Sequence, residues 1–216
     1  MLYSLDLQPI LLPHLPFALQ LLISAVVGYL LGSVGFAYIV ARAMKGIDIT
    51  QYGSGNPGTS NVLRVVGKTG AALTLLGDAL KGYLAVLLGG LVAGGVGMLL
   101  AAACVMVGHM FPLFYHFKGG KTVATAAGVM LALDWRIALT AIGVFVLLLV
   151  ITKYISLSSI VASVTVAVSS LFYTKDISLY IICFLVAIFI IFKHRSNIKR
   201  LLAGTENKIS FKSKKE

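Results

Sequence analysis

The chain has 216 residues, of which 59% are hydrophobic and 12% charged, where a soluble domain carries about 45–50% and ~25%. Mean hydropathy is +0.98, and apolar runs of about 20 residues recur, so lipid is the solvent; intrinsic disorder, collagen, a disulfide scaffold and a secreted globule are excluded. Eighteen Lys and Arg against seven Asp and Glu give +11, which in a membrane protein reads first as topology, and no nucleic-acid partner is expected.

Residues 1–16 form an irregular lead-in with Pro9, Pro13 and Pro16. No basic residue precedes Arg42, so the positive region of a cleaved signal peptide is missing, and the apolar run 17–41 reads as a retained helix. Residues 42–70 bring Arg42, Lys45, Asp48, Arg64 and Lys68 among many Gly, Ser, Thr and Asn, and read as a loop. The apolar stretch 71–117 is too long for one crossing at 1.5 Å per residue, and Gly94-Gly95-Val96-Gly97 is its expected break. Within it Asp78 and Lys81 stand at i, i+3 and are expected to neutralise each other as a structural pair.

A second polar loop, residues 118–121, precedes a short apolar segment 122–133, and Asp134-Trp135-Arg136 separates that from 137–152. Lys153 marks the turn before 155–173, and Lys175-Asp176 the turn before 177–192. The expectation is an all-α, polytopic single domain of seven spans, with a basic, disordered tail at 208–216. With the N-terminus outside and the C-terminus cytoplasmic, 42–70, 118–121, Lys153 and 193–216 carry 15 basic residues inside against Arg136 and Lys175 outside. Cys104 and Cys183 sit singly in apolar runs and read as core filler. Ser24, Gly28 and Gly32 recur every four residues, as do Gly90 and Gly94, and are expected to pack the chain's own helices.

All three polar segments thus face one side. The first reads Gly53-Ser54-Gly55-Asn56-Pro57-Gly58-Thr59-Ser60-Asn61, then Arg64. Its glycines let backbone amides approach a ligand, and Ser60 or Asn61 is expected to cap a helix whose start, with Arg64, would hold a phosphate. The second reads Gly108-His109-Met110-Phe111-Pro112 and then Lys118-Gly119-Gly120-Lys121-Thr122. Its end resembles a Walker A loop, but Tyr115 stands where the leading glycine belongs, so a nucleotide site is rejected and an anion cradle is kept. His109 and His116 read as packing or interface residues. In the third, Lys193-His194-Arg195-Ser196-Asn197 onward, His194 and Asn197 share a helical face at the membrane surface, which is odd for an anchor alone.

In this order the strings GSGNPGTSN with Arg64, GHMFPLFYHFKGGKTVAT and KHRSNIKRLLAGTE resemble the bacterial integral-membrane glycerol-3-phosphate acyltransferases that use acyl phosphate as donor. The resemblance spans about residues 20–208. It implies seven helices in the bacterial cytoplasmic membrane and an active site at the cytoplasmic face. The family's functional serine and arginine match Ser54 and Arg64, and its phosphate-binding glycine loop matches Gly119, Gly120 and Lys121. Its histidine and asparagine match His194 and Asn197, and its motif-ending glutamate matches Glu206, read as structural. Gly53, Gly55, Asn56, Thr59, Ser60, Asn61, Lys118 and Thr122 complete the candidate binding set. Thr122 departs from the pattern, in which glycine commonly follows the lysine.

An acyl phosphate is a mixed anhydride whose phosphate leaves readily, so no covalent enzyme intermediate, metal or cofactor is needed. The protein must hold glycerol-3-phosphate and acyl phosphate together, screen their charge and aim the 1-hydroxyl at the carbonyl. His194 or a donor phosphate oxygen could take the proton. A transporter of organic anions would place its polar residues at the midplane, not at one face. Soluble-type acyltransferases need His-x4-Asp, which none of His14, His109, His116 or His194 begins, and the Asp-rich signature of phosphatidyl transferases is missing.

Overall fold

The computed structural model describes residues 6–209, and these are helices and turns with no strand. Residues 1–5 of the lead-in and 210–216 of the tail lie outside the described residues, as does the disorder expected for that tail. In chain order the α-helices are α1 Phe17–Ser33, α2 Phe36–Lys45, α3 Thr59–Val65, α4 Lys68–Met110, α5 Val123–Leu133, α6 Trp135–Thr152, α7 Ile155–Tyr173, α8 Ile177–Lys193 and α9 Arg195–Leu202. They fall into two compact units, Met1–Trp135 and Arg136–Glu216. Among the described residues four stretches are long and apolar enough to cross a membrane, Phe17–Lys45, Lys68–Tyr115, Trp135–Thr152 and Ile155–Tyr173, and α8 with α9, bent by 60°, adds a fifth if the pair is one span.

In the first unit α1 lies along α4 at close range. A Cβ on Gly28 would come within 2.9 Å of the Ala101 carbonyl oxygen, and one on Gly32 would overlap that of Val105. The small residues of α1 therefore serve internal packing. Gly82 and Gly128 bring α4 and α5 together in the same way, against the Thr125 and Ala79 carbonyls.

The expected break in the long apolar stretch falls at Ala93 and Gly94, whose backbones leave the helical region (φ −135° and 62°). The chain reverses there. Gly89 and Gly97 abut, each where the other's carbonyl would meet an added Cβ, whereas eight residues along one straight helix would separate them by about 12 Å. Gly94 allows the left-handed conformation that the reversal requires. The lead-in crosses this apex: the Ile10 and Leu11 amides both donate to the Leu91 carbonyl at 2.9 Å, and Gly95 donates to that of Leu7 at 3.2 Å.

The run expected as one helix over 17–41 is two, α1 and α2, separated at Val34-Gly35. The groups this break frees are satisfied from elsewhere. Lys81 Nζ donates to the Val34 carbonyl at 2.7 Å, and Ser33 Oγ accepts from the Leu113 amide at 3.2 Å. Such internal satisfaction is what an apolar solvent demands of a broken helix.

In the second unit α7 packs on α8, and its buried Ser159, Ser163, Ser169 and Ser170 return their hydroxyls to their own helix; Ser159, for example, donates to the Ile155 carbonyl at 2.8 Å. Asp176 caps α8 by accepting from the Ser178 amide at 2.8 Å. Lys153, in a left-handed turn at φ 61°, joins α6 to α7, and its carbonyl accepts from the Ile209 amide at 2.8 Å.

Candidate active site

Two loops of the first unit meet where Pro57 approaches Gly120. The earlier one, residues 46–58, is tied by Asn61, which is 1% exposed. Its Oδ1 accepts from the Ser54 amide at 2.8 Å, and its Nδ2 donates to the Ile49 and Tyr52 carbonyls at 3.1 and 2.9 Å. Gly53, Ser54 and Gly55 form an exposed turn, both glycines having positive φ. Asp48 braces its start: the Thr50 amide and hydroxyl, at 3.0 and 2.8 Å, hold its carboxyl below the usual range.

The cap expected at Ser60 or Asn61 is not formed. Gly58 is the cap residue, without a side-chain bond, because Asn61 is already bound to the loop. The expected pairing of a helix start with Arg64 is not formed either. Helix α3 has seven residues, and Arg64 lies exposed in its last turn. Thr59 and Ser60 occupy the first turn, half-buried like Asn56.

The second loop descends from α4 through Pro112 and a short turn at Leu113–Tyr115. Tyr115 stacks on Tyr38 of α2 with centroids 4.0 Å apart, and the Tyr38 hydroxyl donates to the Lys118 carbonyl at 2.6 Å. Gly119 lies against the His109 and Met110 carbonyls, and the Gly120 amide donates to His109 O at 3.2 Å. Thr122, where the resemblance implies glycine, adopts the left-handed conformation (φ 67°) that glycine favours. It stands at the start of α5, whose first amides have no acceptor within the helix. Lys118 is exposed and Lys121 half-buried on either side of the glycines.

Beneath this loop is a buried polar cluster. Asp78 and Lys81 pair at 2.8 Å, each side chain 3% exposed. His109 joins them, its Nδ1 3.5 Å from Asp78 Oδ1 and 3.2 Å from Thr125 Oγ1. Asp78, Lys81, His109, Tyr38, Pro57 and the two glycines line a cavity of about 10 Å³, which suits a water and is too small for a phosphate.

The second unit has its own polar cluster. His194, 3% exposed, is the break between α8 and α9, and its Nδ1 lies 2.7 Å from the Ile190 carbonyl. A carbonyl only accepts, so Nδ1 carries a proton. Asn197 Nδ2 and Ser156 Oγ donate to Glu206 Oε1 at 2.7 and 2.8 Å, and Arg200 Nε donates to Oε2 at 2.7 Å. Burial raises the Glu206 carboxyl, but the bonds from Asn197, Arg200 and Ser156 outweigh it and hold the group below its usual range.

Within the first unit the structure thus joins the two loops, through Pro57 and Gly120, and sets the Asp78–Lys81 pair under the second. In the second unit it joins Asn197 to Glu206. Tyr38, Thr125, Ser156 and the role of His109 as a link in a chain of contacts were not read from the sequence. Only the run of serines at 156–163 could have signalled one of them.

The profile of the family described as glycerol-3-phosphate acyltransferase matches residues 22–204. Among curated relatives, the glycerol-3-phosphate acyltransferase of Clostridioides difficile (strain 630) is 46% identical over 197 residues, covering 88% of this chain and 96% of that protein. The one of Thermoanaerobacter sp. (strain X514) is 42% identical over 191 residues, with 88% and 96% covered. Among solved structures, the crystal structure of PlsY, an integral membrane glycerol 3-phosphate acyltransferase, in its glycerol 3-phosphate form superposes with a TM-score of 0.83 at 34% identity, covering 88% of this chain and 96% of that one. Its lysophosphatidic acid form gives 0.81 at 34% identity, with 88% and 95% covered.

Proposed function

The chain belongs to the glycerol-3-phosphate acyltransferase family, and from that premise we propose that it moves a fatty acyl group from acyl phosphate to the 1-hydroxyl of glycerol-3-phosphate, giving lysophosphatidic acid and inorganic phosphate. The observation that carries the reading is the glycine loop: backbone folded onto the end of α4, flanked by Lys118 and Lys121, and running into the start of α5. Amides and ammonium groups so arranged suit a dianionic phosphate and take no covalent part in the reaction.

In this reading the substrate hydroxyl attacks the acyl carbonyl, the carbonyl-carbon-to-oxygen bond of the anhydride breaks, and phosphate departs with its bonding electrons. The leaving group is good enough that the protein need not form an acyl intermediate. Lys118, Lys121, Arg64 and the amides of Gly119 and Gly53 neutralise and aim the two phosphates, while those of Gly120, Ser54 and Gly55 hold the two loops in shape. The Ser54 hydroxyl adds a donor at the exposed turn. Nε2 of His194 accepts the hydroxyl proton, unless a donor phosphate oxygen takes it. Asn197 acts through Glu206. Seven crossings of the bacterial cytoplasmic membrane, with the N-terminus outside and both units belonging to one acyltransferase domain, complete the reading and put the reaction at the cytoplasmic face.

Purified protein given labelled glycerol-3-phosphate should make lysophosphatidic acid with acyl phosphate and not with acyl-CoA. Product from acyl-CoA alone would refute the donor assignment. For orientation, single cysteines at the exposed Ser54 and Lys118 should resist an impermeant thiol reagent added outside intact cells, and labelling of either would reverse the sidedness.

A further inference from the structure

Asp78 and Lys81 are more than a self-neutralising pair. Removing two charges from water is repaid only when further bonds satisfy them, and here each ion reaches a different piece of the site. Lys81 Nζ also holds the Val34 carbonyl at the break between α1 and α2, 2.7 Å away. Asp78 Oδ1 lies 3.5 Å from His109 Nδ1, which Thr125 Oγ1 approaches from α5 at 3.2 Å. A carboxylate accepts only, so the proton of the ring belongs on Nδ1 and the opposite nitrogen, Nε2, is turned away from the pair. That nitrogen faces Gly120: an added Cβ there would overlap it, and the Gly120 amide is already bonded to the His109 carbonyl at 3.2 Å. His109 therefore touches the loop with its backbone and its ring, while Asp78 and Thr125 fix the ring from behind.

We propose that His109 is a positioning residue for the phosphate of glycerol-3-phosphate: the floor on which Gly119-Gly120 is shaped, oriented by Asp78 and Thr125. The inference rests on the reading of that loop as a phosphate cradle. A residue that shapes a binding loop from below governs how tightly the phosphate is held and leaves the transfer step intact. Asp78 in turn acts on the loop only through the ring, in the manner of a carboxylate that sets the tautomer of a histidine.

The test uses the full-length protein in detergent, with whichever donor proves active, so that failure of the acyl-phosphate assignment leaves it readable. His109→Asn keeps a donor near Asp78 and Thr125 and withdraws the Nε2 edge. It should raise KM for glycerol-3-phosphate by ~10-fold or more, with kcat and the donor's KM within about 3-fold. Thr125→Val, close in shape, should raise the same KM by ~3-fold and serves if His109→Asn fails to fold. The sharpest measurement is the cycle with Gly120→Ala. If the ring is what the new methyl strikes, the double variant's KM should fall short of the product of the two single factors by ~3-fold or more, since groups in contact do not act additively. Unchanged KM in folded His109→Asn or Thr125→Val would overturn the proposal. So would strict multiplicativity in the double variant, or a loss confined to kcat.

Discussion

Gly120→Ala should raise KM for glycerol-3-phosphate by about 10²-fold while kcat changes little. An added Cβ would overlap His109 Nε2 and sit 2.8 Å from the Pro57 carbonyl oxygen, so one ring and one backbone segment must both give way. A displacement of the order of 1 Å in a binding loop is enough for an effect of that size. Gly119→Ala is the harsher change, because its methyl would strike the His109 and Met110 carbonyls, and backbone atoms at a helix end cannot step aside. It should reduce folded protein as well as affinity. Initial rates against both substrates, normalised to monodisperse protein, give the measurement. An unchanged KM in folded Gly120→Ala would move this loop from glycerol-3-phosphate to the donor or to a structural role.

His194→Ala should lower kcat by ~10²–10⁴-fold, the range for positioned acid–base help. The Ile190 carbonyl that fixes its tautomer is part of α8, so the helix should survive the substitution. Asn197→Ala removes a bond to a charged acceptor, worth about 1.5–3 kcal/mol, and that acceptor is Glu206. Its loss should therefore appear mainly as a weaker fold, as should that of Glu206 itself, which strands Arg200 and Ser156. The lowered carboxyl of Glu206 gives this anchor a pH dependence. Its contribution is full above the unfolded value near 4.3 and is lost as pH falls through the folded one. Thermal midpoints and turnover per folded molecule, compared for the three variants, separate the roles. Near-wild-type turnover in His194→Ala would remove the histidine from the chemistry.

Much of this is legible in the sequence, for reasons that are themselves physical. Apolar runs bounded by Lys153 and Lys175-Asp176 became α7 and α8 because lipid leaves a chain few alternatives to helix. The glycine cluster at 94–97 marked the reversal of α4, because only a residue without a Cβ enters that conformation cheaply. The break at Val34-Gly35 was not legible. The run stays apolar across it, and what stabilises the gap is Lys81 and Leu113, far along the chain. Asn61 misled for a related reason. Asparagine is a common cap, yet its partners at Ile49, Tyr52 and Ser54 are within reach only once the loop has folded back. In His109 the residue type was visible, but its neighbours on three separate segments were not.

The lead-in over the apex of α4 also orders events in time. Leu7, Ile10 and Leu11 precede in the chain the groups they bond, at Leu91 and Gly95, which emerge only after α1, α2, α3 and the first arm of α4. Closing so long a loop adds little to the equilibrium cost, which grows only as the logarithm of its length. The delay falls on the rate, because such distant contacts form late. Until then the Leu91 carbonyl and the Gly95 amide, both at the reversal, lack the partners they have in the finished structure. The lead-in thus waits for the hairpin, and its docking is the step that seals it.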